Sequence, residues 1–282
     1  MPLAQDQLKT LLAIASEAAL KGGAVLDTYF GKLTSIQEKG RVGDLVTNAD
    51  RASEAEVLAL LRDRCPDHGI LAEESGNVAA QDSEFLWVID PLDGTTNYAH
   101  QYPFFAVSIG LLYQGQPVVG AIYAPYFKEL FEAAQGLGAT VNQRPIQVSG
   151  TAELSKSLLV TGFAYDRRET KDNNYAEFCH FTHLTQGVRR GGSAALDLAY
   201  VACGRLDGYW ERGLSAWDMA AGIILVQEAG GRVSAYDGGT FQLDSGRVLA
   251  TNQRLHAAMS EELLKVRAAI AGQTKYFLPI PA

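Results

Sequence analysis

Cysteine is scarce in this sequence. Cys65, Cys179 and Cys203 are spread over 282 positions with no C-x-x-C pair, which argues against a disulfide framework or a zinc knuckle and suits a reducing, cytoplasmic setting. Long apolar runs are also lacking. No segment approaches the roughly 20 apolar residues needed to cross a bilayer, and the apolar stretch Leu11 to Ala15 is interrupted by Asp6, Lys9 and Glu17 at the spacing of an amphipathic helix rather than a signal peptide. Positive charge is in deficit, with 24 Lys and Arg against 32 Asp and Glu. A nucleic-acid surface needs a basic stripe to replace counterions around phosphates. The only arginine doublets, Arg167-Arg168 and Arg189-Arg190, read as solvated loop or strand ends. No nucleic acid and no membrane is therefore expected as a partner.

What remains is a globular composition. At 47% hydrophobic and 20% charged, the chain can bury one large core or two lobes that share one. No internal repeat, low-complexity tract or linker divides it. The expectation is a single domain over residues 1–282, with lobes of roughly 1–150 and 151–282.

Apolar residues from Leu8 to Tyr29 recur at spacings of three and four, the stripe of a long helix. A second helix is predicted after Asp50, carrying Val57, Leu58, Leu60 and Leu61 inward and stopping before Pro66. Short apolar runs bounded by turns follow at Gly69 to Ala72, Phe85 to Ile89, a pair around Gln114-Gly115-Gln116, and Leu130 to Ala134. These read as strands of a largely antiparallel sheet. In the second half, strands are predicted at Ser157 to Thr161, Gly187 to Arg190, Leu206 to Trp210, Gly231 to Ser234 and Arg247 to Ala250. Helical patterns lie near Asn174 to His183, Ser193 to Ala202, Trp217 to Glu228 and Arg254 to Ile270. Most strands are apolar on both faces, so helices should lie between and outside two sheets. The predicted class is α+β, a layered α-β-α-β-α sandwich with a largely antiparallel N-terminal sheet and a second, mixed one.

The segment from Trp87 to Asn97 runs from an apolar strand straight into Asp90, Pro91, Leu92, Asp93, Gly94, Thr95 and Thr96. Two carboxylates about 4 Å apart repel by roughly 4 kcal/mol at an effective dielectric of 20. A site that gathers several must therefore neutralise them with protons or cations. Pro91 turns the chain, so Asp90, the Leu92 carbonyl and Asp93 can face one point, and such hard oxygen donors suit magnesium. Gly94-Thr95-Thr96 can present backbone N–H groups to an anion beside it. An isolated D-P-x-D-G is equally an ordinary turn. Two further acidic clusters, however, end apolar runs in the same way: Glu73-Glu74 after Leu71-Ala72, and Asp218 after Ala216-Trp217. The five histidines offer no metal-binding spacing beyond His180 and His183, a pair that reads as helix surface.

E-E-S at Glu73 to Ser75, D-P-L-D-G-T-T-N at Asp90 to Asn97 and W-D-M-A-A-G at Trp217 to Gly222, in this order and spacing, resemble the inositol monophosphatase family. The D-L-V-T-x-x-D stretch from Asp44 to Asp50 with Lys39 upstream, G-G-S-A-A at Gly191 to Ala195, and Glu211 extend the resemblance over nearly the entire chain. It implies one magnesium on Glu73, Asp90 and the Leu92 carbonyl, a second on Asp90, Asp93 and Asp218, and a weaker third near Glu73. It implies that Asp50 and Thr95 orient or deprotonate the attacking water, with Glu73 among the catalytic residues and no covalent phosphoenzyme. Asp93, Gly94, Thr95, Gly192, Ser193, Ala194 and Glu211 would bind a phosphate monoester of a polyol. Lithium inhibition and a homodimer are further implications. Lys39 and Glu74 are left as direct participants or solvated charges, and Trp217 is expected to support the helix presenting Asp218.

Three kinds of alternative stay open. Fructose 1,6-bisphosphate, histidinol phosphate or 3'-phosphoadenosine 5'-phosphate would use the same residues. Glycoside hydrolysis by paired carboxylates would need no metal. A regulatory binding protein would carry a vestigial site, although none of the expected carboxylates is missing here.

Overall fold

The computed structural model describes residues 3–79 and 83–271; the remaining positions of the expected 1–282 domain lie outside the described residues. The first helix, α1 (Gln5–Tyr29), buries Leu8, Leu11, Ala15, Ala18, Ala19 and Leu26 along its stripe. A small antiparallel hairpin of β1 (Ile36–Glu38) and β2 (Leu45–Thr47) follows. It leads into α2 (Asn48–Arg64), which begins before Asp50 rather than after it. Thr47 is its N-cap, and Asp50 takes the third helical position in a reciprocal capping box, the arrangement that satisfies two otherwise orphaned N–H groups. Cys65 closes the helix just ahead of Pro66.

The large sheet is built from β3 (Gly69–Ala72), β4 (Gly76–Ala79), β5 (Phe85–Asp93), then, after the short helix α3 (Thr95–Ala99), β6 (Ala106–Tyr113), β7 (Gln116–Ala124), β8 (Glu129–Ala134), β9 (Gly138–Val141) and β10 (Arg144–Pro145). Its order is β10-β9-β8-β7-β6-β5-β3-β4, antiparallel except where β3 runs parallel to β5. The β6–β7 connection is Gln114-Gly115, both at positive φ, as a two-residue hairpin with right-handed strand twist requires. The second half supplies β11 (Leu158–Thr161), α4 (Tyr175–Leu184), β12 (Gly187–Arg189), α5 (Ala194–Ala202), β13 (Gly208–Arg212), α6 (Ala216–Glu228), β14 (Arg232–Ser234), β15 (Arg247–Thr251) and α7 (His256–Ala271). Its five-stranded sheet, ordered β12-β11-β13-β15-β14, is mixed.

Helices α1 and α2 cover one face of the large sheet, α5 and α6 lie between the sheets, and α4 and α7 cover the second sheet. That is the α-β-α-β-α order. The core between the sheets joins Ile122 and Phe131 of the large sheet to Leu196 and Leu225 of the middle helices and Val248 of the second sheet. Close packing of α6 depends on Gly110, where a Cβ would lie 2.7 Å from the Ala220 Cβ. No helix among the described residues is long and apolar enough to cross a membrane.

One strand boundary matters for the site. The run predicted at Leu206 to Trp210 sits two residues further on, so Glu211 lies within β13 rather than beyond it. Glycine at 208 is pressed by the Met259 side chain, 2.5 Å from where a Cβ would lie. The pairing of Gly208 with Thr251 marks the strand's first residue.

Candidate metal and phosphate site

The carboxylates arrive on three elements. Asp90 and Asp93 end β5, where its pairing with β6 is irregular between the two residues, and Asp218 sits in the first turn of α6. One carboxylate oxygen from each lies within 4.8 Å of the others. Asp90 is 2% exposed and Asp93 8%. Local donors set each group. Asp90 Oδ1 accepts from the Leu92 N–H at 2.9 Å; Asp93 Oδ2 accepts from the Ser193 hydroxyl at 2.5 Å and the Ala195 N–H at 2.7 Å; Asp218 Oδ2 accepts from the Ser215 N–H at 2.6 Å. The loop before α5 therefore holds Asp93, in addition to lining the cleft.

Burial and mutual repulsion raise these acids. Asp90 is pushed well up by burial and then by Glu73, Asp93 and Asp218, and Asp218 by burial and then by Asp93 and Glu73. Burial lifts Asp93 to about 6 against the pull of Ser193 and Ala195. Lys39 lines the same cleft and is paired with neighbouring glutamates. Its Nζ lies 2.7 Å from Glu73 Oε1 and pairs also with Glu74, so Lys39 and Glu74, left as direct participants or solvated charges, are joined with Glu73 in one ion-pair triad. Two buried carboxylates and a half-buried one, whose hydrogen-bond donors among the described residues are N–H groups and a hydroxyl, suit a divalent cation with a preference for oxygen donors.

Beside the cluster, Thr95 Oγ1 is 3.1 Å from Asp50 Oδ1 and 3.0 Å from the Leu92 carbonyl. Asp50 Oδ2 accepts from the Thr47 N–H at 2.8 Å and the Thr47 hydroxyl at 2.6 Å. Gly94 must be glycine: its φ is +96°, and a Cβ would meet the Phe104 carbonyl at 2.9 Å. Asn97 ties this turn to the loop before α5 by donating to the Phe104 and Gly191 carbonyls at 2.7 and 3.0 Å.

A cleft of about 690 Å³ joins the parts, lined by Glu73, Asp90, Leu92, Asp93, Gly94, Thr95, Gly192, Ser193, Ala194, Glu211 and Asp218 among others. Glu211 accepts from the Tyr209 hydroxyl at 2.6 Å, and burial lifts its carboxyl to about 7. Asp50, behind Thr95, is the predicted residue that does not line it. Trp217 does, so it has a face on the cleft beyond its expected supporting task.

Several contributors were not read from the sequence. Arg167 and Arg190 line the cleft, one from each doublet read as solvated ends. Glu54, buried one helical turn after Asp50, accepts from the Glu74 N–H at 2.9 Å and pairs with the Ser75 hydroxyl. Its i, i+4 spacing from Asp50 was the available signal. Asp197 is buried with Oδ1 unpartnered.

These shifts have a sign. A carboxyl whose folded pKa exceeds its unfolded value stabilises the fold fully only below the unfolded value and loses that contribution as pH rises through the folded one. For Asp93 and Glu211 the window runs from the ordinary 3.8 and 4.5 to about 6 and about 7. The metal-free protein should therefore lose melting temperature from about pH 4 to about pH 7, and magnesium should raise it most at the upper end. Scanning calorimetry across that range checks both; a flat metal-free profile counts against a buried, uncompensated cluster.

Fold and cluster together define the class: a two-sheet layered protein whose strand and helix ends converge on carboxylates able to hold a divalent cation. The chain belongs to the inositol monophosphatase family, whose sequence model matches residues 7–269. An inositol-1-monophosphatase of Synechocystis is 64% identical over 258 residues, covering 92% of this chain and 90% of that protein. The Nus factor SuhB of Haemophilus influenzae is 40% identical over 268 residues, covering 94% and 99%. Among solved structures, the inositol monophosphatase from Anabaena aligns with a TM-score of 0.85 at 63% identity, covering 92% of this chain and 97% of that one.

Proposed function

We propose that the protein hydrolyses a small phosphate monoester, myo-inositol monophosphate, to inositol and phosphate, with magnesium as cofactor. The observation that carries this reading is the convergence of Asp90, Asp93 and Asp218 in one cleft with Glu211. Glu73, Asp90 and the Leu92 carbonyl would hold one ion and Asp90, Asp93 and Asp218 a second, with a weaker third near Glu73. Bound there, magnesium supplies a more acidic water and positive charge for the phosphoryl and leaving oxygens.

The remaining work falls to this chain's own groups. Asp50 Oδ1 and the Thr95 hydroxyl form a pair that orients a water and takes its proton. Burial raises the Asp50 carboxyl from its ordinary value against the Thr47 donors, which makes it a better acceptor at neutral pH. Gly94 and Thr95 border the phosphate on one side, and Gly192, Ser193 and Ala194 border the polyol with Asp93. Glu211 accepts hydrogen bonds from polyol hydroxyls. Phosphoryl transfer asks chiefly for this kind of positioning and charge neutralisation, so no side-chain nucleophile is required. The same reading makes the protein a cytoplasmic homodimer, inhibited by lithium.

Phosphate release with and without magnesium, across inositol 1-phosphate, fructose 1,6-bisphosphate, histidinol phosphate and 3'-phosphoadenosine 5'-phosphate, tests mechanism and substrate together. Magnesium-dependent turnover fastest on inositol 1-phosphate is expected. Preference for another substrate would keep the mechanism and replace the substrate. No turnover on any would favour the regulatory role that the name of the Haemophilus relative suggests.

A further inference from the structure

The segment following β11 forms a wall of the cleft. Gly162 lies directly under Glu211, where a Cβ would sit 2.1 Å from its carboxylate oxygens, and Phe163, Ala164, Tyr165 and Arg167 line the same space. This segment is held at three places. Phe163 packs against Tyr175 and Phe178 of α4, with ring centroids at 5.3 and 5.6 Å. Ala164 rests on Gly213, whose absent side chain leaves the room: a Cβ there would lie 2.5 Å from the Ala164 Cβ.

The third hold is Arg212. It follows Glu211 in β13, and successive strand residues point to opposite faces, so one strand turns Glu211 toward the cleft and Arg212 away from it. Arg212 is 8% exposed. Its Nη1 donates to both Asp166 oxygens at 2.9 and 3.2 Å and Nη2 donates to Oδ1 at 2.5 Å, while Nε donates to the Asp172 carbonyl. One guanidinium thus staples both ends of residues 166–172. Asp172 is fixed in turn by Arg247 and by Arg267, the latter at 3.4 Å. Arg167 closes the turn itself by donating to the Ala164 carbonyl at 3.1 Å.

Phe163 and Arg167 also line the cleft but are tied back, one on α4 and the other on the Ala164 carbonyl, whereas Tyr165 lines it as an exposed ring. It is 42% exposed. It lines the cleft together with the carboxylates of Asp44, Glu73, Asp93 and Asp218.

We propose that Tyr165 is a specificity residue: its ring roofs the leaving group on the wall it shares with Glu211, the Arg212–Asp166 ion pair positions it, and it favours phosphate esters of cyclic polyols over those of short acyclic alcohols. A six-membered polyol presents a face of C–H groups to an aromatic ring and hydroxyls to Glu211. Glycerol is too small to meet both. This rests on the phosphatase reading above.

The test compares inositol 1-phosphate with glycerol 2-phosphate, with magnesium, in wild type, Tyr165→Ala, Tyr165→Phe, Asp166→Asn, Arg212→Lys and the Tyr165→Ala/Arg212→Lys double variant. Tyr165→Ala should raise KM for inositol 1-phosphate about 10-fold with kcat little changed, the sign of lost uniform binding, and leave glycerol 2-phosphate unaffected. Tyr165→Phe should keep most of the discrimination. Asp166→Asn and Arg212→Lys should reproduce part of the KM effect, since lysine cannot form the bidentate pair, and the double variant should be no worse than Tyr165→Ala alone. Equal losses on both substrates, no loss on either, or additive effects in the double variant would overturn the proposal while leaving the phosphatase reading intact. Absence of magnesium-dependent turnover by the wild type on both substrates would overturn the two together.

Discussion

Asp90→Asn and Asp218→Asn should each lower magnesium-dependent kcat by about 10³-fold or more, because each removes a charge that the proposed mechanism assigns to holding the cation. The same changes should stabilise the metal-free protein. Asp90, Asp93 and Asp218 gather their oxygens within 4.8 Å, and each close pair of ionised carboxylates repels by roughly 4 kcal/mol at 4 Å and an effective dielectric of 20, before protonation relieves it. Asparagine keeps the oxygen that accepts from the Leu92 or Ser215 N–H. At pH 8, where protonation helps least, metal-free Asp90→Asn should melt about 2–4 °C higher for each kcal/mol of repulsion relieved. Activity and melting temperature must therefore move in opposite directions. A variant that lost both would point to a structural role for the carboxylate, and near-normal turnover would refute the metal assignment.

If Asp50 and Thr95 orient the water as proposed, removing either should leave binding intact and slow the chemistry. Asp50→Asn keeps an oxygen for the Thr47 N–H and hydroxyl, so the start of α2 should lose less than about 1 kcal/mol. Yet it removes the carboxylate oxygen, proposed as the proton acceptor, that faces Thr95 Oγ1 at 3.1 Å. The expected result is a kcat lower by about 10²- to 10⁴-fold, the range for a positioned general base, with KM little changed and the acidic limb of the pH–rate profile flattened. Thr95→Ala should resemble it, and Thr95→Ser, which restores the hydroxyl, should recover most of the rate. A large rise in KM with kcat preserved would instead make the pair a binding element.

Much of the fold was legible because its signals are local. The three-and-four spacing of α1, the Gln114-Gly115 hairpin and the turn-bounded strands of the large sheet each follow from chemistry within a few residues, and the structure places them where that chemistry indicates. The start of α2 was placed after Asp50, whereas the helix opens at Asn48 and takes its N-cap before that. Thr47 takes that role, and Asp50 becomes the reciprocal partner three residues on. The hairpin of β1 and β2 was not seen: β1 is exposed along its length, so no alternation of burial is imprinted on its residues. Lys39 was ambiguous for the same reason. A single lysine in a loop carries no sign of which carboxylates it will meet, and only the placement of that loop over the end of β3 pairs it with Glu73 and Glu74.

The chemistry of the carboxylates and the order in which they occur were determined by the sequence alone, because an apolar strand that runs into Asp90, Pro91 and Asp93 places those groups at its end whatever surrounds it. Distances between remote groups were decided by the tertiary structure. Stacking of the two sheets across α5 and α6 sets the first turn of α6 against the end of β5, bringing Asp218 to Asp90 and Asp93. The pairing of β13 with β11 and β15 aims Glu211 into the cleft and Arg212 behind it. Periodicity records which face of an element is buried but not which other element buries it. The Arg212–Asp166 staple and the position of Tyr165 therefore appear only once the layers are assembled.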